Sequence, residues 1–459
     1  MSTIVFAIAD SISHYNASYK IANALRNAGH RIIYIGDSKK RQKEVESQGY
    51  QFETIYGEFF NSFEKTGKKG LVNRVKNFYH HFKNLQRYKK ALMEGTEIAA
   101  IIQKFNPEAF IIDVFHVIHA ISLRRFGVKT IMLQTYVATD QDALVPPLNS
   151  DFIPGDDDKS RKRVKQLWSR LLLRRAFFNL VYQVTFAGLD KNSMVHAVIN
   201  ATGYPEKAIN FKRSFHPGLT DIPELILSAT EFDFKRQRKL NQHYVGPMVE
   251  MNRRDVLYDE RYLEVLLEKE LSYSEERNAR PLIYCSLGTL NLNWYSKPEE
   301  FFSMVIDAFK SRPDYEVYIA VGSDIKPSVF KRVPENVKLF QFVPQIDILE
   351  HASVMITHGG INSINECILS GVPMIVYPLS KQVDQPGNAA RVVFHGMGIR
   401  GDIRKETREG LLEKVDKILA GDVYKQRVNR MRETYASYGD VSKAVSVIEN
   451  YLAAELAIA

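Results

Sequence analysis

The chain is short of cysteine: Cys285 and Cys367 are the only two in 459 residues, both in apolar segments and at no metal-ligand spacing. That excludes a disulfide framework and a cysteine-ligated zinc site, and points to two small buried side chains in a reducing compartment. Long apolar runs are missing too. No window approaches the roughly 20 residues that span a bilayer. The leading MSTIVFAIADS has too short an apolar run, and no basic lead, for a signal segment. A cytoplasmic protein is therefore expected. No short internal repeat appears. What remains is 45% apolar and 25% charged, the balance of a soluble globular protein, with length for two or three domains.

The net charge of +9 is unevenly spread. Gly57–Gly95 holds nine Lys/Arg against three Glu, and Lys159–Arg175 holds eight Lys/Arg and no acid. Two readings stand. These are solvated helix faces, or, because Leu, Phe and Trp are interleaved with the basic residues, they make peripheral contact with an anionic membrane face or a lipid-like acceptor. No nucleic-acid motif accompanies the charge, so no nucleic-acid partner is expected.

Along the chain, Thr3–Ala9 is an unbroken apolar run, which predicts a strand buried on both faces. Asp10–Asn16 reads as a polar loop and Tyr19–Ala28 as a helix stopped by Gly29. Strands follow at His30–Ile35 and Gln51–Tyr56, then a long basic helical region over Gly70–Lys104. Ala109–Asp113 is a strand closing on an acid, His116–Phe126 a helix, and Lys129–Gln134 a strand. This alternation predicts a parallel, doubly wound α/β sheet, a class that binds ligands beyond the carboxyl ends of its strands, where His14 and Asp113 fall. Ala143–Asp158 reads as a long loop, Lys159–Phe186 as an amphipathic helix, Glu224–Ser228 as the last strand of the first half, and Tyr244–Arg254 as the linker. A second α/β set has strands at Leu282–Leu287, Glu316–Val321, Val337–Phe340, Val354–Thr357 and Met374–Tyr377. Three closing helices cover Arg408–Ala420, Asp422–Tyr438 and Ser442–Leu456. The expected organisation is two Rossmann-like domains, 1–245 and 246–440, facing across a cleft, followed by a C-terminal helix in 441–459.

The richest chemistry lies in Phe342–Asn388. Its turn His358-Gly359-Gly360 joins a β-branched run to a helix whose first turn carries Asn362 and Ser363. A helix N-terminus behind glycines is an anion site: backbone N–H groups and the helix dipole face the turn, and Gly lets a phosphate approach closely. A sugar nucleotide needs more, and the stretch supplies it in order. Phe342 offers a stacking face for a base, Gln345 a hydrogen-bond partner for its edge, and His358, Gly360, Asn362 and Ser363 a cradle for a diphosphate. Glu366, one turn on from Asn362, suits ribose hydroxyls, and Asp384 with Gln385 suits a sugar. The plainer alternative is that Ser363-x-x-Glu366 is only a capping box. Six polar residues placed after strand ends favour the binding site.

The pattern PQxDxL…H…THGGxNSxxE…GVPM…P…DQ resembles the C-terminal donor-binding signature of the family 1, UDP-dependent glycosyltransferases. The run Asp384–Arg391 is most similar to the bacterial macrolide and carotenoid branch. The resemblance implies the GT-B fold, with the last helix crossing back to the N-terminal domain. It puts Phe342 where the family often has a base-stacking Trp, Val343 against the base through its backbone, and Gly288 and Thr289 of the SLGT turn near the diphosphate. It also assigns the two catalytic residues. The stretch SHYNASYKIANALRNAGH is similar to the family's GHxxPxxxLAxxLxxxGH, whose first His is the base; this is His14, with Ser13 in place of Gly. The acid of IIDVF, Asp113, matches the carboxylate that pairs with that base. An imidazole that takes a hydroxyl proton must carry positive charge, and a carboxylate on its other nitrogen fixes the tautomer and stabilises the cation.

The implied reaction is transfer of a sugar, glucose from UDP-glucose, with inversion, to a hydroxyl of a small lipophilic acceptor such as a polyketide, phenolic or carotenoid-like compound. No cofactor beyond the UDP-sugar donor is expected, and no metal. No Asp-x-Asp sits where the diphosphate demands one, and Asp156-Asp157-Asp158 lies in a surface loop. The acceptor wall would draw on the loop after His14, Phe59 to Phe82, Asp113 to His119 and Thr135 to Pro147, with Phe59, Phe60, Phe63, Phe78 and Tyr79 making it aromatic or else forming helix core. Alternatives are a cell-envelope lipid glycosyltransferase, a sugar-nucleotide epimerase and a non-catalytic UDP-sugar-binding module.

Overall fold

The structure is a computed structural model that describes residues 1–37, 39–56, 71–253, 259–265, 280–288 and 297–454, with backbone only at 40 and 71–79. Its first sheet is built from β1 (Thr3–Ala7), β2 (Arg31–Gly36), β3 (Gln51–Thr54), β4 (Ala109–Asp113) and β5 (Lys129–Gln134). A small antiparallel pair, β6 (Ile209–Asn210) and β7 (Gly218–Leu219), precedes β8 (Glu224–Ile226) and β9 (Gln242–Tyr244), which complete that sheet. Its seven parallel strands run in the order β3-β2-β1-β4-β5-β8-β9. The second sheet contains β10 (Leu282–Ser286), β11 (Glu316–Ala320), β12 (Val337–Phe340), β13 (Ala352–Thr357), β14 (Met374–Val376) and β15 (Gly398–Arg400). Its six parallel strands run β12-β11-β10-β13-β14-β15.

Why these runs form buried strands is visible in where alternate residues go. Along β1, Ile4 and Phe6 enter one apolar cluster while Val5 and Ala7 enter another. The two clusters lie on opposite sheet faces, so a strand that alternates between them must be apolar throughout. The second sheet repeats this: Ile283 and Cys285 pack to one side, Leu282 and Tyr284 to the other. Both cysteines are free and buried. The larger cluster is continuous from Val5 and Phe110 in the first sheet to Met355 and Ala389 in the second domain. The helix Ser442–Ala453 returns to the first sheet, placing Ala444, Ile448 and Leu452 among Ile4, Ile21 and Leu25, while Lys129 Nζ donates to the carbonyl of Leu452.

Several expectations need correction. The first half does not end on Glu224: β9 pairs outside it. β9 is Gln-His-Tyr and β15 is Gly-Ile-Arg, two short edge strands with too little apolar pattern to register. Tyr244 therefore belongs to the sheet and not to a linker. The basic region after residue 70 is two helices, Leu71–Glu94 and Thr96–Phe105, broken at Gly95 with φ +70°. The region His116–Phe126 is a helix only over Val117–Leu123, flanked by 3₁₀ turns. The polar loop Asp10–Asn16 is mostly helix, since Ile12–Asn27 is continuous and His14 sits in its first turn. The helix Asp158–Thr185 is not amphipathic in the ordinary sense. Its first half buries Val164 and Trp168, but Leu173, Phe177, Leu180 and Val184 are exposed. Among the described residues no helix is long and apolar enough to cross a membrane.

Candidate active site

Because β1 and β4 are parallel neighbours in register (Ala7 opposite Ile112), their carboxyl ends, and the segments leaving them, share one edge of the sheet. Ser11, with extended φ −140° and ψ 127°, starts the helix after β1, and the His14 N–H donates to its carbonyl at 3.0 Å. Asp113 closes β4. The two side chains meet: His14 Nδ1–H donates to Asp113 Oδ2 at 2.6 Å. Asp113 Oδ1 accepts from the Phe115 N–H at 2.9 Å, so the acid caps the following turn while it holds the histidine. Phe115 meets the imidazole edge-on, with centroids 4.9 Å apart, and Thr135 Oγ1 lies 3.4 Å from Nδ1. With Nδ1 bonded to a carboxylate, Nε2 is the nitrogen left to accept a proton.

Burial is the largest influence on His14 and disfavours its cation. The charge and hydrogen bond of Asp113 outweigh it, helped by the charge of Asp384, and the pKa ends above 6.5. Burial likewise works against the Asp113 carboxylate, but His14, the Phe115 N–H and His116 hold it below the usual range.

Facing this pair is the turn after β13. The helix Ile361–Ser370 is capped by Gly360 with no side-chain bond, so its first N–H groups stay open and Ser363 and Glu366 are not spent on a capping box. His358 is clasped between glycines. A Cβ on Gly288, where φ is +75°, would lie 2.5 Å from its Cε1, and one on Gly360 would lie 2.7 Å from its Nε2. Burial pushes His358 down to about 4, so it is neutral at pH 7, and its Nδ1 has no hydrogen-bond partner among the described residues. Replacing Gly288 by Ala forces a left-handed Cβ residue, which costs about 1–2 kcal/mol, and pushes the ring toward the helix N-terminus. The expected result is a folded protein whose KM for a nucleotide-sugar rises roughly tenfold with kcat less affected, since about 1.4 kcal/mol of binding is a factor of ten. Unchanged steady-state kinetics in Gly288→Ala would refute the clasp.

The polar residues of the stretch are wired together. Gln345 Nε2 donates to Ser363 Oγ at 3.0 Å and to Glu366 Oε2 at 2.5 Å. Glu366 Oε1 accepts from Arg253 Nη1 at 2.6 Å, so both oxygens of this buried acid are engaged. Asn362 Nδ2 donates to the carbonyl of Ser13, next to His14, and so links the two halves directly. Asp384 is raised by burial, against the opposing hydrogen bond of Asn388 and the charge of His14. Asn388 Nδ2 donates to Asp384 Oδ2 at 2.7 Å and to the Gly359 carbonyl at 3.0 Å. Gln385 Oε1 accepts from the Leu379 and Ser380 N–H groups, at 2.8 and 3.3 Å, so it shapes the loop before Asp384. Val343 is buried and Phe342 half-buried, its carbonyl accepting from the Asp259 N–H at 3.1 Å. Thr289, Phe59, Phe60 and Phe63 lie outside the described residues, and Phe78 and Tyr79 are described by backbone alone, in the helix Leu71–Glu94.

The structure thus gathers His14, Asp113, Asn362 and Asp384 at one place, with Gly288, His358 and Gly360 in a second contiguous group. Phe115, Asn388 and Arg253 are site residues that sequence reasoning does not single out. Asn388 alone carries a signal, lying one helical turn beyond Asp384.

Residues 221–436 match the family model described as UDP-glucoronosyl and UDP-glucosyl transferase. The chain is similar to an NDP-glycosyltransferase, YjiC, of Bacillus licheniformis, at 35% identity over 176 residues, covering 38% of this chain and 43% of that protein. The chain thus spans less than half the length of such curated relatives. It is also similar over almost its whole length to a 4'-demethylrebeccamycin synthase of Lentzea aerocolonigenes, at 21% identity with 97% of this chain and 98% of the relative covered. Among solved structures, the calicheamicin glycosyltransferase CalG4 superposes with a TM-score of 0.66 at 19% identity, covering 100% of this chain and 99% of that one. The chain thus has the GT-B fold, and its residues 221–436 carry the signature of the family 1, UDP-dependent glycosyltransferases.

Proposed function

We propose that the chain is an inverting glycosyltransferase that moves a sugar, glucose from UDP-glucose, to a hydroxyl of a small lipophilic acceptor such as a polyketide, phenolic or carotenoid-like compound, in the cytoplasm. The observation that carries this is the His14–Asp113 pair, a half-buried imidazole on a fully buried carboxylate, set against Asn362 and Asp384 of the opposite domain. In the step we envisage, His14 Nε2 takes the acceptor's hydroxyl proton as its oxygen attacks the anomeric carbon from the face away from the diphosphate. The bond from that carbon to the diphosphate oxygen breaks and UDP departs with its electron pair. Asp113 stabilises the imidazolium, and the open N–H groups of the helix Ile361–Ser370, with His358, take up the charge on the diphosphate. Asp384 and Gln385 are assigned to the sugar, Phe342, Val343 and Gln345 to the base, and Glu366 to the ribose once Arg253 yields an oxygen. No metal is called for in this step.

Donor and acceptor panels, run with wild type and His14→Ala, test the proposal. Transfer of glucose with inverted anomeric configuration, lost in the variant, is the expected result. Turnover of a nucleotide-sugar that survives His14→Ala would favour an epimerase, and UDP binding without transfer to any acceptor would favour a binding module.

A second reading has its own observation. The exposed Leu173, Phe177, Leu180 and Val184, in a helix with eight basic residues over Lys159–Arg175, suit contact with an anionic bilayer and a lipid acceptor. Flotation with phosphatidylglycerol vesicles at low salt is expected to retain wild type and release a Leu173→Glu/Phe177→Glu variant. Wild type that stays unbound would remove this reading.

A further inference from the structure

Asp37 lies just past β2, His116 ends the 3₁₀ turn after β4, and His119 lies in the helix Val117–Leu123. None of the three belongs to the His14–Asp113 pair or to the donor stretch. Their strands are both neighbours of β1, so all three emerge at the same carboxyl edge of the first sheet. One side-chain ligand atom from each lies within 4.8 Å of those of the others. His116 Nδ1 is 3.9 Å from Asp37 Oδ2.

The hydrogen-bonding state of the group is unusual. His119 is 2% exposed, yet neither of its ring nitrogens has a hydrogen-bond partner among the described residues. Asp37 Oδ1 is also buried and unpartnered. An imidazole shut away from water with both nitrogens idle loses the hydrogen bonds that water would give it. Its faces are accounted for: it stacks on Tyr56 at 5.3 Å and on His116 at 4.9 Å. Its edge is not.

We propose that Asp37, His116 and His119 bind one divalent transition-metal ion, Zn²⁺ by preference. Two imidazoles and one carboxylate make the ligand set of open zinc sites, which leave a further position for water or a substrate oxygen. Zn–N bonds of about 2.0–2.1 Å in tetrahedral geometry put ligand atoms about 3.3 Å apart. Binding requires His116 and Asp37, each partly exposed, to turn toward His119, with His116 leaving its stack on that ring so that both imidazoles aim an in-plane nitrogen at the ion. Lys191 is the competing cation: its charge acts on Asp37, while its Nζ sits 3.3 Å from His216 Nδ1. The site lies at the carboxyl edge of the first sheet, three residues beyond Asp113 and outside the stretch Phe342–Asn388. The binding claim itself does not rest on the glycosyltransfer reading.

The test uses tag-free, chelator-treated full-length protein titrated with Zn²⁺ by calorimetry, and with Co²⁺ by visible absorption. One equivalent of Zn²⁺ and a visible Co²⁺ band are expected in wild type. Affinity should fall at least tenfold in each of His119→Ala, His116→Ala and Asp37→Asn, but not in His196→Ala, a histidine elsewhere in the chain. Far-UV circular dichroism of the metal-free variants separates lost ligation from lost folding; if His119→Ala fails to fold, Asp37→Asn, which keeps size and shape, carries the test. Absence of a one-equivalent site in wild type, or variants that bind as wild type does, would overturn the proposal.

Discussion

If the chain catalyses the proposed transfer, His14→Ala is expected to lower kcat by about a thousandfold, within the range of roughly 10²–10⁴ set by a positioned general base, while the KM for the donor changes little. The size reflects what the side chain is placed to do. Its Nδ1 is bonded to Asp113, a carboxylate with no exposure, and its Nε2 is the remaining basic site beside the interdomain contact at Ser13. The donor cradle around His358 is untouched by the change, so donor affinity should survive. Asp113→Asn separates positioning from mere structure. An amide cannot stabilise the imidazolium, so kcat falls by a factor of the same order, with the fold kept. Retention of more than a tenth of wild-type kcat in His14→Ala would sink the assignment.

The same pair sets a pH signature. His14 has its folded pKa raised above 6.5, and a base must be neutral to act, so kcat/KM is expected to climb as pH rises through that raised value and to be highest on its alkaline side. In Asp113→Asn the opposing charge is gone while burial remains, so the acid limb of the profile moves to lower pH even as the rate drops. A limb that stays put would show that Asp113 does not set the proton affinity of His14. Stability obeys the linkage signs. A raised histidine contributes stability that is full below about pH 6.5 and is lost as pH rises through its folded pKa. A depressed aspartate contributes stability present above its ordinary value and lost as pH falls through its folded pKa. The interaction thus stabilises most in mildly acid solution, on the acid side of the activity maximum, and thermal melts across pH read it directly.

The two sheets were legible because their strands bury both faces: short, largely apolar runs such as TIVFA and LIYCS, set between helical segments, read as strands of a covered parallel sheet. The polar stretch Phe342–Asn388 was legible as a candidate site because it is contiguous, each polar residue falling just past a strand or in the first turns of a helix. What could not be read is what depends on distant partners. Arg253 and Glu366 are 113 residues apart, and no local pattern announces that the acid is already paired. The helical setting of His14 was hidden because the Ser and Asn residues around it compete for backbone hydrogen bonds and look like a turn. β9 and β15 were hidden because edge strands carry no hydrophobic alternation. The exposed apolar half of the helix Asp158–Thr185 was hidden because composition does not say whether a neighbour covers it.

The contact that holds the two halves together gives the second large effect. Asp233 and Arg391 are each 1% exposed and come from opposite domains. Arg391 Nε and Nη2 donate to Asp233 Oδ1 at 3.0 and 2.5 Å, and its Nη1 donates to the Gly387 carbonyl at 2.9 Å. Its guanidinium also sits 4.5 Å over the Phe234 ring. A second cation, Arg236, has its Nε 2.7 Å from Asp233 Oδ2. Burial opposes the Asp233 carboxylate, but Arg236 and Arg391 hold it ionised, and a guanidinium does not give up its proton. One carboxylate therefore serves two buried cations, and this fixes the order of the effects. Asp233→Ala strands both guanidiniums and is expected to cost about 3–5 kcal/mol, the cost of breaking a buried pair. Arg391→Ala leaves Asp233 still paired with Arg236 and is expected to cost about 1.5–3 kcal/mol, the worth of hydrogen bonds to a charged group. The helix Gln385–Phe394 that carries Arg391 starts beside Asp384 and receives the Leu148 carbonyl on the Gly387 N–H at 3.0 Å. Loosening it moves Asp384 relative to His14, so both variants should also raise KM at a temperature where they remain folded. Chemical denaturation compares the two. An Arg391→Ala loss equal to or greater than that of Asp233→Ala would contradict the shared-carboxylate account, because it would require the second cation to contribute nothing.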